Sequence, residues 1–259
     1  MHALRYSDSD HPLHGVYLKL KRADENIINL EAEIDRFFKE CKYPVIPDRN
    51  DERLQEALRY YRELKIPLRF SVLAGEIIHH LRSSLDHIAW TLTNSSYKTP
   101  ANESAITFPV SRNRPSTKDE IKSFERKIGG VKPQWAVDLI KKLQPYEATD
   151  PVDDPLLIVH DMDRIAKHRE LPLVIASVVM TVTSNSAELH AALRAHTQGK
   201  KLSRRENALV TLAVQQNPNP RMNVAFPDFG KRKTQPIVPS LSQLLNYVVR
   251  VSEWFAERL

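Results

Sequence analysis

Glycine and cysteine are the scarce residues of this chain, with six Gly and one Cys in 259 positions. So few glycines leave no Gly-rich phosphate loop, and neither G-x-G-x-x-G nor a Walker sequence occurs. The lone Cys41 excludes an internal disulfide framework and any C-x-x-C pair, which places the expected environment in a reducing cytoplasm. H-E-x-x-H is absent, so no established metal signature and no cofactor motif remain. No run of eighteen apolar residues exists, and no membrane span is expected. The opening MHALRYSDSDHPLHG also lacks the apolar centre of a secretory signal.

What is present is a hydrophobic content of 41%, enough for one large core or two modest ones. A net charge of +6 and a pI of about 9.3 permit RNA or another anionic ligand as partner. The densest chemistry lies in Gly75 to Trp90, GEIIHHLRSSLDHIAW, where three of the ten His accompany Glu76, Arg82 and Asp86. At about 100° per residue, Ile77, Leu81, Leu85, Ile88 and Leu92 form one apolar arc, with Ile78 and Ala89 at its edge. Opposite it, Glu76, His80, Ser83 and His87 form a stripe that can point into one pocket, continued by Trp90. His79, Arg82 and Asp86 form a neighbouring stripe, in which Asp86 can orient Arg82 or His79. An ordinary solvated helix face is the plain reading of such a pattern, but this one carries no Lys.

The rest of the chain reads as scaffold. From Val16, the residues Leu20, Ala23, Ile27, Leu30, Ile34, Phe37 and Cys41 alternate spacings of three and four, the seam of a long helix. Cys41 is therefore a small core residue, and Pro44 and Pro47 mark the connector that follows. Residues 51 to 64 hold good helix formers, yet Tyr60-Tyr61 also suits a strand. Pro67 starts the central helix, which should run to about Leu92, and Phe108-Pro109-Val110 is a buried anchor in the loop beyond it. Thr117 and Glu120 predict a capping box, closed off by Gly129-Gly130. Pro133 opens a further helix, and Asp154-Pro155 caps the next.

After Leu171-Pro172 the period changes: Leu173 to Thr183, Ala208 to Gln215 and Met222 to Phe226 read as strands, with a short helix at Ala187 to Ala195. Ser240 is the expected cap of a last helix that turns Leu241, Leu244, Leu245, Val248, Val251 or Ser252, and Phe255 inward. The expected fold class is α+β, a single domain over 1–259. A helical bundle at 16–170 and 238–259 carries a small antiparallel β-sheet, 171–230, inserted before the C-terminal helix.

The helix after Asp154 carries a second polar cluster, with His160, Arg164, Lys167 and His168 together and Asp163 flanking. If the two helices are neighbours, Glu76, His80, Arg82, His87, His160, Asp163 and His168 could build one site. LRSSLDHIAW together with the Asp163 to Arg169 segment resembles a group of uncharacterised bacterial proteins marked by an LRSxLDHxxW helix and a DKHR helix. Arg82 and His87, with four residues between them, also resemble the Arg and His of HEPN domains, helical bundles whose ribonuclease members act without metal. Arg164 and His168, with three between, do not fit that spacing.

Three functional readings follow. The HEPN resemblance implies an RNA-acting protein, a metal-independent endoribonuclease often working as a homodimer. In it His87 would be general base or acid, Arg82 the phosphate cation, and Asp86 or Glu76 the orienting group. The basic stretches at 200–205 and 231–233 would contact phosphates. A second reading makes the His/Arg/Asp cluster structural in a non-catalytic binding or interaction protein. The third is a metal-dependent hydrolase with Glu76 and His80 as ligands, completed by His87, His160 or His168.

Overall fold

The structure, a computed structural model, describes residues 4–42, 53–94, 106–131, 133–177, 203–205, 222–228 and 234–259. Among them are seven α-helices: α1 (His14–Lys39), α2 (Arg53–Glu63), α3 (Leu68–Asn94), α4 (Lys118–Ile128), α5 (Gln134–Lys142), α6 (Pro155–His168) and α7 (Ile237–Ala256). Three short strands, β1 (Val174–Ser177), β2 (Met222–Phe226) and β3 (Gln235–Pro236), precede α7 in a sheet of order β1-β2-β3. β1 and β2 run antiparallel, with Val174 opposite Ala225 and Ser177 opposite Met222. The fold is α+β and mostly helical, with its small sheet ahead of the final helix. Among the described residues no helix is long and apolar enough to cross a membrane.

The chain divides into two compact units. The first comprises Met1–Ala32, Pro67–Pro172 and Phe226–Leu259. Its centre is α3, whose predicted arc of Ile77, Ile78, Leu81, Leu85, Ile88, Ala89 and Leu92 is fully buried. α3 packs on α6 and on α7, and α6 also touches α7. α7 turns Leu241, Leu244, Leu245, Val248, Val251, Ser252 and Phe255 inward, as its spacing predicts, and Ser252 returns its hydroxyl to the Val248 carbonyl at 2.8 Å. Buried hydroxyls in a helix are satisfied this way without a second helix.

The second unit comprises Glu33–Ile66 and Leu173–Ala225. In it residues 53–63 are helical, which settles the ambiguity at Tyr60-Tyr61 in favour of helix. The two rings meet edge-on at 5.4 Å, and Tyr61 also lies 6.3 Å from Phe38. Cys41 is buried there with its thiol on the Phe37 carbonyl, the small core residue its place on the seam implies.

Two local features differ from the pattern. α7 begins at Ile237, so Ser240 lies inside the first turn and bonds the Pro236 carbonyl at 2.7 Å instead of capping the helix. Pro239 is tolerated there because first-turn N–H groups have no intrahelical partner. Of the predicted strands, β2 matches Met222 to Phe226, and β1 occupies part of Leu173 to Thr183. The strand at 208–215, the helix at 187–195, the connector at 43–50 and the basic stretch at 231–233 lie outside the described residues, as do 200–202 of the stretch 200–205.

The capping box forms as written: Thr117 accepts the Glu120 N–H, and the Glu120 carboxylate accepts the N–H groups of Ser116 and Thr117. Those bonds pull the Glu120 carboxyl down to about 2. Thr117→Ala should cost about 1 kcal/mol. Equilibrium urea unfolding measures it, and an unchanged midpoint would count against the box as a stabilising element.

Candidate functional site

Arg82 and Asp86 sit one turn apart on α3 and together grip the backbone of Phe108. Arg82 Nη2 donates to Asp86 Oδ1 and to the Phe108 carbonyl, each at 2.7 Å. The Phe108 N–H donates to the same Asp86 oxygen at 2.9 Å. One residue therefore has both its backbone donor and its backbone acceptor satisfied by a single charged pair. Gln144, at the end of α5, holds the next residues: it accepts the Ser111 N–H at 3.0 Å and donates to the Pro109 carbonyl at 2.9 Å. Of the predicted anchor Phe108-Pro109-Val110, Phe108 and Pro109 are buried and Val110 is half-buried, and the Phe108 ring stands edge-on to Phe255. The Arg82 guanidinium is enclosed, at 6% exposure for the residue.

The stripe of Glu76, His80, Ser83 and His87 does not open on one pocket. Its lower half faces α1: Lys19 Nζ donates to Ser83 Oγ at 2.8 Å, and a Cβ on Gly15 would collide with the His87 ring. Arg82 and His87, five residues and roughly 140° apart on the helix, thus address different neighbours. The 106–111 segment occupies the Arg82 side, while His87 lies against Gly15 on α1.

Burial governs the charges on this helix. It pushes His87 below its ordinary 6.5, and Lys19 adds to that. It pushes His80 down too, helped by His79, Arg22 and Lys19 and opposed by Glu76. On α6, His160 is lowered by burial first and by Arg82 next. Well above pH 6.5 these imidazoles are neutral in both folded and unfolded chains. Below it the unfolded chain binds protons that the folded one resists, so stability falls as pH falls. The urea midpoint should therefore drop between pH 7 and pH 5, and His87→Gln should flatten the slope. A midpoint that rises over this window would contradict the burial of these rings.

α3 and α6 are direct neighbours, and Gly75 faces Ala166 across their contact: a Cβ there would stand 3.4 Å from Ala166 Cβ. Between them Asp163, on α6, is buried and uses both oxygens. Oδ1 lies 3.1 Å from His79 Nδ1, and Oδ2 lies 2.6 Å from Lys167 Nζ. His79 and Lys167 are more than half exposed, so a buried carboxylate holds two solvent-facing side chains. They border an open groove of about 480 Å³ whose polar lining includes Glu76, His80, His168 and Arg169. A second cavity, of about 230 Å³, is lined largely by apolar side chains such as Ile158, Met162, Ile165 and Leu244, and holds none of the predicted site residues.

The predicted single site is therefore assembled in part. The groove collects Glu76, His80, Asp163, Lys167 and His168. Arg82 and Asp86 serve Phe108, His87 serves the α1 contact, and His160 lies within reach of the Arg82 and Lys127 charges. Among the described residues no group of three His, Cys, Asp or Glu could hold a metal ion, so the ligand set around Glu76 and His80 is not formed.

No protein-family model, curated protein or solved structure matches this chain.

The sequence pattern understated four residues: His79, which it paired only with Asp86, and Lys19, Gln144 and Arg169. The i,i+4 spacing of Asp163 and Lys167 was a usable signal. Nothing in a one-dimensional pattern joins His79 to Asp163, 84 positions away.

Proposed function

We propose that this chain is an RNA-acting protein of the metal-independent endoribonuclease class, with its reacting groups in the groove between α3 and α6. The supporting observation is the groove's content: His79, His80 and His168 line it together with Lys167 and Arg169. Cleaving a phosphodiester through the neighbouring 2′-hydroxyl needs a base, an acid and a cation near the phosphate, and no metal. Imidazoles supply the first two and Lys167 or Arg169 the third. The net charge of +6 suits a polyanionic partner. In this reading Arg82 and His87, the pair that resembles HEPN ribonucleases, serve the fold, Arg82 at Phe108 and His87 against Gly15.

The test is incubation of the purified protein with mixed RNA and with DNA of matched length in EDTA. RNA fragments ending in 2′,3′-cyclic phosphate, with DNA intact, are expected. Intact RNA would sink the nuclease reading and leave a second one, favoured by the enclosed Arg82 guanidinium: a non-catalytic binding protein whose charged cluster is structural. That reading expects RNA or another anion to bind without being cut.

A further inference from the structure

We propose that His79 is the general base of the groove, that Asp163 positions it, and that Lys167, held by the same carboxylate, faces the phosphate. This rests on the ribonuclease reading and assigns its groups. The geometry carries it. A neutral His accepts a proton at the ring nitrogen that carries none, and a hydrogen bond from the other nitrogen to a carboxylate fixes which nitrogen that is and how the ring is turned. Here the donor nitrogen is Nδ1, bonded to Asp163 Oδ1 at 3.1 Å, which leaves Nε2 free for substrate.

The carboxylate is well made for the task. Its side chain is only 5% exposed, which shields Oδ1 from water, and Oδ2 is held by Lys167 Nζ at 2.6 Å. His79 itself is 57% exposed beside the groove, where a ribose can reach it. His87, by contrast, is packed against Gly15 and has its Nδ1 buried with no partner among the described residues. It lacks the orienting acceptor that His79 has.

The step balances without a further reactant. His79 Nε2 takes the 2′-hydroxyl proton, the O2′–P bond forms and the P–O5′ bond breaks. The leaving O5′ takes a proton from the imidazolium of His168, at the same groove, giving a 2′,3′-cyclic phosphate and a 5′-hydroxyl. Lys167 stabilises the charge that grows on the phosphate oxygens. His80 is the weaker choice for the acid, because burial first, then His79, Arg22 and Lys19, push its pKa down and disfavour the protonated form.

Two measurements on the full chain test the assignment. The first is RNA cleavage in EDTA by wild type, His79→Ala, His87→Ala and Asp163→Asn, each checked by circular dichroism. His79→Ala should lose about 10²-fold or more in rate, and His87→Ala should stay within a few-fold of wild type. The second is ¹⁵N NMR of the imidazoles: wild-type His79 should carry its proton on Nδ1, and Asp163→Asn should lose that preference. Asp163→Asn that folds should slow cleavage and shift the pH–rate profile, which a merely structural role would not do. Cleavage retained by His79→Ala would overturn the assignment while leaving the ribonuclease reading intact. Wild type that cuts no RNA would overturn both, and an Nε2-protonated His79 would overturn the assignment whatever the rates.

Discussion

Arg82→Ala should lower stability by about 3 kcal/mol, a shift on the order of 10 °C in Tm for a chain of this size. Removing the guanidinium leaves Asp86 without its cation and the Phe108 carbonyl without a donor. Losing one partner of a buried pair costs about 3 to 5 kcal/mol, since the other charge stays behind. The lower end applies because Asp86 is about one-third exposed and water can reach it. Arg82 Nη1 is also buried with no partner among the described residues, so the wild type already carries an unmet donor that the substitution removes.

Asp86→Asn should cost less, because the amide oxygen still accepts the Phe108 N–H. Guanidinium-chloride unfolding of the two variants, with amide exchange at Phe108, separates these cases. Arg82→Ala that unfolds at the wild-type midpoint would return Arg82 to the list of functional cations. The same result with RNA cleavage lost would make it a catalytic group, against the structural role argued above.

Gly15→Ala should cost about 2 kcal/mol, the typical penalty for forcing an extra methyl into a packed contact. Glycine to alanine inside a helix would otherwise stabilise by up to about 1 kcal/mol. The sign reverses here because the new Cβ would collide with Cε1 of His87. The double variant Gly15→Ala with His87→Ala should therefore recover much of the loss, since the ring that is struck has gone. A double-mutant cycle by urea unfolding reads the coupling directly. Additive losses would mean that α1 and α3 do not meet at this contact. The cycle also bears on function: if Gly15→Ala displaces His87 and leaves RNA cleavage unchanged, His87 is not the base.

Much of the helical fold was legible from period and punctuation. The α3 arc from Ile77 to Leu92 is buried as its spacing requires, and the Thr117 and Glu120 box closes as its residue types require. These are local effects: the partners lie within one or two turns, so the order of residues states them completely. The start of α7 was misread for a local reason too, because two prolines and a serine at 236–240 offer more than one way to begin a helix.

The candidate site was legible as residue types and not as an arrangement. Sequence determined that two helices would carry His, Arg and Asp on polar faces, and that Arg82 and Asp86 could bond one turn apart. Only tertiary structure decided which flank of α3 each residue would serve. It sent Arg82 and Asp86 to the peptide of Phe108, His87 to Gly15 on α1, and His79 to Asp163 on α6. The physical reason is that a helix fixes the angle between its side chains while packing chooses the neighbour at each angle, and those neighbours lie 22, 72 and 84 residues away in the chain.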